Sequence, residues 1–162
     1  MKTWVILLLS ALLLTGCASE DTFETIADEP VAAVMAQPGQ ISVELPEDAV
    51  APVLESGNEQ LWLCDDYEIL IQTRPSGDLN GTIQTISGYP KESLTVMETQ
   101  NQSVTRYDFV WASAGEKGER LGRAVVLDDG NYHYCISVLR DADAQESQIV
   151  WNEVFQSFSL VE

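Results

Sequence analysis

What this chain has least of is positive charge: eight Lys plus Arg stand against 26 Asp plus Glu, a net charge of −18. Binding to nucleic-acid phosphates draws on clustered Lys and Arg, so the composition excludes a nucleic-acid partner. An acidic surface also repels anionic lipid, which excludes docking on a membrane through basic residues. There is one histidine, His133, which excludes a multi-histidine metal centre. Long apolar runs are absent too. Trp4 to Leu14, broken only by Ser10, falls short of the roughly 20 residues that cross a bilayer. Gly115, Gly118 and Gly122 lack the lysine and hydroxyl residue of a phosphate-binding loop, and no calcium loop of the EF-hand spacing occurs.

What is present begins with the address. Lys2 gives a short positive start, the apolar run follows, and Leu14, Thr15, Gly16 and Cys17 come after it without a charge. This is the pattern of a secretory signal with a small-residue cleavage site. Leu14-Thr15-Gly16-Cys17 resembles the lipobox of bacterial lipoproteins. The resemblance implies that the Cys17 thiol receives a diacylglycerol, that cleavage follows Gly16, and that Cys17 becomes the first residue. One acyl chain, at about 0.8 kcal/mol per buried methylene, holds only marginally, whereas two or three hold stably. The expected location is therefore a cell membrane, lipid-anchored on its extracytoplasmic side, or on the periplasmic side where the envelope has two membranes.

Residues 1–16 thus read as a signal peptide and 17–40 as the lipidated cysteine with a linker. The linker carries Glu20, Asp21, Glu24, Asp28 and Glu29 with no base, and Pro30, Pro38 and Gly39 interrupt it. Such a segment cannot offset the entropy of ordering and is expected to be a flexible acidic stalk with a reach of about 25 Å. Residues 41–162 suit one domain. Ile41, Val43 and Leu45 alternate with polar residues as a strand does, and Ala49 to Leu54 is an edge or loop weakened by Pro52. Gln60 to Cys64 and Tyr67 to Thr73 are strands, with Asp65-Asp66 either a hairpin turn or a bulge between them. A short helix follows: Ser76 or Asp78 can cap it, Leu79, Ile83 and Ile86 share one face, and Gly88 stands at its exit. Leu94 to Thr99, Ser103 to Ala112, Arg120 to Asp128 and Asn131 to Leu139 read as four strands, the last two joined by the hairpin signal Asp129-Gly130. Their lengths favour a meander. Ala142 to Gln156 closes the chain as an amphipathic helix, with Trp151, Val154, Phe155 and Phe158 on one stripe. The expected fold class is α+β: an antiparallel sheet of about six or seven strands flanked by helices, with the C-terminal helix packed on it.

With Cys17 committed to lipid, Cys64 and Cys135 form an even pair in a disulfide-permissive location. Each lies in a strand-like run, and a bridge would close a loop of about 70 residues, for about 4 kcal/mol in the chain-entropy model. A Cys64–Cys135 disulfide is the expectation; the alternative is two buried, unlinked thiols.

The order of elements, closing on Gln156-Ser157-Phe158-Ser159-Leu160, resembles the PsbP-like fold, including DcrB-like bacterial lipoproteins. The resemblance implies a sheet flanked by helices, acting as an adaptor or assembly factor on larger complexes. It carries no functional residues over.

Chemistry is sparse. His133 and Cys135 lie at i and i+2 on one strand face, but a Cys–His nucleophile needs a third group to orient the imidazole, and none is evident. Asp65-Asp66, Asp128-Asp129 and Asp141 with Asp143 are clustered carboxylates, of which Asp128-Asp129-Gly130-Asn131 fits hairpin turn chemistry. No catalytic, metal or cofactor residues are therefore assigned. The expected function is a membrane-anchored, non-catalytic binding or assembly module for a protein or other envelope component, expected as a monomer. A small cation-responsive module and a hydrolase are the alternatives. Partner binding should leave exposed aromatics such as Trp62, Tyr89 or Trp111; a cation module should gather three or more carboxylates; an enzyme should place His133 in a deep polar cleft.

Overall fold

The structure is a computed structural model that describes residues 36–115, 118–143 and 147–161, with the side chains of 147–150 left aside. The expected signal peptide, the expected lipid site at Cys17 and most of the expected acidic linker lie outside the described residues. Residues from Ala36 onward form one compact unit, so the domain takes in a few residues of the expected linker.

Two short meanders make one seven-stranded antiparallel sheet. The first contains β2 (Leu54–Glu55), β3 (Glu59–Leu63) and β4 (Tyr67–Pro75). The second contains β5 (Val96–Asn101), β6 (Val104–Gly115), β7 (Gly118–Asp128) and β8 (Tyr132–Asp141). The order across the sheet is β2-β3-β4-β8-β7-β6-β5. The meander expected of the last four strands is β5 to β8; the two groups join where β4 pairs with β8, so the last long strand returns to the middle of the sheet. Asp65-Asp66 is a turn, closed by the Cys64 amide donating to the Tyr67 carbonyl at 2.9 Å.

Helix α1 (Leu79–Ser87) starts where Asp78 accepts a hydrogen bond from the Gly81 amide at 2.7 Å. It ends at Gly88, whose φ of 80° is a left-handed cap that favours glycine. A short 3-10 turn, Lys91–Ser93, leads into β5. Helix α2 (Ser147–Ser157) is followed by β9 (Ser159–Leu160), which pairs antiparallel with β1 (Ile41–Ser42). The first and last described segments of the chain therefore hold each other.

Because strand side chains alternate, the sheet has two separate cores. On one face Trp62, Ile69, Ile71, Val125, Ile136 and Val138 pack under Val154, Phe155 and Phe158. Ile41, Val43, Leu45 and Leu160 close the same core from the β1–β9 ribbon. On the other face Phe109, Trp111, Ala124, Val126 and Cys135 pack under Ile83 of α1. Gly122 is required there, since a Cβ on it would collide with the Trp111 indole.

The expected disulfide is not formed: Cys64 and Cys135 are both free. Cys64 packs against the α2-side core and Cys135 belongs to the α1-side core. Register separates them further. Cys135 lies opposite Gln72, whereas Cys64 bonds to Tyr67, which lies opposite Arg140. Five residues along a strand is about 17 Å, far beyond the roughly 7 Å that a bridge tolerates between Cα atoms.

Candidate binding surface

His133 is the natural starting point for chemistry, being the single histidine. It projects from β8 toward α1 and is 1% exposed. Its Nδ1 lies 2.9 Å from the Thr82 hydroxyl and its Nε2 3.5 Å from an Asp128 carboxylate oxygen. With the proton on Nε2, facing Asp128, Nδ1 accepts a hydrogen bond from Thr82. The orienting groups that sequence reasoning did not find are therefore Asp128, on the neighbouring strand, and Thr82, distant in sequence on the helix. Thr82 is itself buried, so the array fastens α1 to the sheet and offers no hydroxyl to solvent. The Cys135 thiol on the same face is pushed up to about 12 by burial, partly opposed by the Arg74 charge, and a thiol that resists ionisation is a poor nucleophile. Burial likewise raises Cys64 above the usual thiol value.

The expected carboxylate clusters separate. Asp128 accepts from the Gly130 amide at 2.8 Å. Asp129 Oδ1 accepts from the Asn131 and Tyr132 amides, and its Oδ2 accepts from the Tyr134 hydroxyl at 2.8 Å. Among the described residues no three His, Cys, Asp or Glu side chains converge as metal ligands do. Of the three aromatics expected at a binding surface, Trp62 and Trp111 are buried and Tyr89 is 40% exposed. Tyr89 flanks a shallow hollow beside the β6–β7 hairpin, where its hydroxyl donates to the Ala112 carbonyl.

A more enclosed space lies on the α2 side of the sheet, where the covering layer stops. The β1–β9 ribbon is fixed there by local bonds. The Gly39 amide donates to the Tyr134 hydroxyl at 2.7 Å, and the Glu44 amide donates to the Ser157 hydroxyl at 2.9 Å. Beyond β9 nothing among the described residues covers β6 and β5. The result is a cleft of about 470 Å³, walled by Phe158, Ser159 and Leu160 on one side and by the β5–β6 hairpin, residues 101–104, on the other. Leu127 and Val104 form an apolar floor. The volume falls within the roughly 300–1,000 Å³ of ordinary ligand sites.

Arg106 closes the inner end. Its Nη2 donates to the Phe155 carbonyl at 2.9 Å and its Nη1 to the Phe158 carbonyl at 3.4 Å, while its Nε meets Asp108 at 2.7 Å. The guanidinium therefore caps the carbonyl end of α2, where a positive charge is favourable, and its own charge is balanced by Asp108. Further along the same face Met97 and Val110 are 64% and 58% exposed. Sequence reading missed this surface, although a signal exists: Val104, Arg106, Asp108 and Val110 share one face of β6 and mix apolar with charged residues, which a uniformly covered face would not.

Among the described residues no helix is long and apolar enough to cross a membrane. No protein-family model matches the chain, and no curated protein matches it. A solved structure from Bacteroides thetaiotaomicron VPI-5482 is similar over 75% of this chain and 45% of that one, with a TM-score of 0.49 at 10% identity. The chain spans less than half the length of that protein, and a likeness this slight carries no argument about function.

Proposed function

We propose that this chain is an extracytoplasmic lipoprotein, held to the membrane through acyl chains on Cys17, whose α+β domain binds a protein component of the envelope without catalysing a reaction. The observation that carries the binding part is the interrupted second layer: an apolar-floored cleft beside β9, with Met97 and Val110 exposed further along the same sheet face beyond Arg106. The tether rests on Leu14-Thr15-Gly16-Cys17. The lipobox and PsbP-like resemblances support the same reading. The burial of His133 and Thr82 speaks for structure over hydrolysis at that array.

The test is cross-linking of intact cells that express the tagged full-length protein, with a Cys17→Ser chain beside it. The reading expects label from acyl precursors in the parent and none in Cys17→Ser, together with one dominant envelope protein that is lost or weakened in the variant. Acylation of the Cys17→Ser chain, or an anchored parent that cross-links to nothing specific, would overturn it.

A further inference from the structure

The walls of the cleft differ in one respect that bears on what can occupy it. In an antiparallel pair, residues alternate between exchanging main-chain hydrogen bonds with the partner and pointing those groups away from it. The Val161 amide donates to the Gln40 carbonyl at 2.8 Å, and Ile41 lies opposite Leu160. Leu160 is therefore at the position that turns its N–H and C=O away from β1, toward the cleft. The Phe158 carbonyl, two residues earlier on the same edge, points the same way and is taken by Arg106. The wall formed by β9 thus offers a main-chain donor and acceptor above an apolar floor. An added strand satisfies both at once.

We propose that the cleft takes up an extended segment of a protein partner, which adds to the free edge of β9 and lays alternate apolar side chains on Leu127 and Val104. The inference deepens the partner-binding reading above and rests on it. Charge selects the other side chains of that segment. The lining itself carries Arg106, which shares Asp108 with Arg123, so a preference for basic residues rests on the long-range field of the whole chain, with its net charge of −18. Outward residues of the added strand face solvent, where the net negative charge of the chain favours Lys or Arg over Asp or Glu. The occupant is thus a strand of alternating apolar and basic residues.

Fluorescence anisotropy on the detergent-solubilised full-length protein tests this with three synthetic probes: an alternating Val/Lys peptide, the same peptide with Pro at its central Val, and a Val/Glu counterpart. Two variants accompany them. Ser103→Trp fills the mouth of the cleft from an exposed position, and Leu160→Pro removes the free amide without touching the bonds to β1. The Ser103→Trp chain keeps the covering side chains of the core, so it serves even where Leu160→Pro fails to fold. Saturable binding of the Val/Lys peptide is expected, weakened about tenfold or more by the central Pro and by Ser103→Trp, as the loss of one buried hydrogen-bond set or of the floor implies. Equal binding of the Pro or the Val/Glu peptide, no effect of Ser103→Trp, or no saturable binding would overturn the proposal. So would a dimer of the parent chain that Ser103→Trp abolishes, because a second copy would then be the occupant. In cells, a partner still cross-linked to Ser103→Trp would sink the cleft while leaving the tethered binding module standing.

Discussion

Asp129 shows how much structure one side chain of the acidic majority can hold. Burial alone would raise its pKa. The Tyr132 and Asn131 amides and the Tyr134 hydroxyl outweigh that and hold it below the usual carboxylate value of 3.8. A carboxyl with a lowered folded value stabilises fully above its unfolded value and loses that stabilisation as pH falls through the folded one. Asp129→Ala should therefore lower stability by about 1–3 kcal/mol at neutral pH, with three hydrogen bonds to a charged group removed. Urea midpoints measured at neutral pH and near pH 3 check this: the gap between parent and variant should shrink in acid, and an unchanged gap would show that the carboxylate charge is not what holds the turn. The role of Asp129 as a turn residue was legible in the run Asp128-Asp129-Gly130-Asn131. Its bond to Tyr134, and through that hydroxyl to Gly39, was not, because nothing local links residue 39 to residue 134. The cysteines failed for the same reason. Strand propensity placed Cys64 and Cys135 in or beside strands, but register and face decide whether two thiols meet, and neither is a local property.

Elements were read more securely than their neighbours. The Asp78 cap, the Leu79/Ile83/Ile86 stripe and Gly88 describe α1 in one short stretch, and alternation gives β3, β4 and β6 to β8 with small errors at the ends. Strand order was less accessible, because the pairing of β4 with β8 depends on two faces filling at once with contributions from both meanders. The C-terminal stripe illustrates the difference. It implied that Trp151, Val154, Phe155 and Phe158 are equivalent core residues, yet Phe155 and Phe158 are almost fully buried while Trp151 is only partly covered. Trp151 lies at the rim, with the Arg140 guanidinium 4.8 Å from its ring and Phe155 edge-on at 6.4 Å. Phe155→Ala should cost about 3–5 kcal/mol through transfer and cavity terms, and Trp151→Ala distinctly less. Chemical denaturation of the two variants orders them; a larger loss for Trp151 would mean that α2 sits on the sheet in another rotation. The same helix sets the candidate site, since its carbonyl end fixes Arg106 and its exit into β9 builds one wall of the cleft.

At the scale of the whole molecule, charge decides more than any single pair. Arg106 and Arg123 both serve Asp108, at 2.7 and 3.3 Å, and Arg120 lies 3.4 Å from Glu68 and from Asp141. These side chains retain about a quarter of their exposure, so each pair contributes at most about 1 kcal/mol. Against them stands the mutual repulsion of 26 carboxylates with only eight bases to offset it. Salt screens both, with a Debye length of about 8 Å at physiological strength, and attraction within a contact is screened less than repulsion across the surface. Adding sodium chloride should therefore raise the Tm by a few degrees, about 2–4 °C for each kcal/mol of repulsion removed. A fall in Tm would mean that the arginine pairs dominate. The same field bears on the proposed role. A lipid-held domain of this charge is repelled by anionic headgroups, which leaves its surface turned to other partners, and it concentrates basic segments near the cleft beside β9. Salt should then act in opposite directions on one protein, strengthening the fold while weakening capture of the Val/Lys probe, a combination that a site bound by apolar contact alone would not produce.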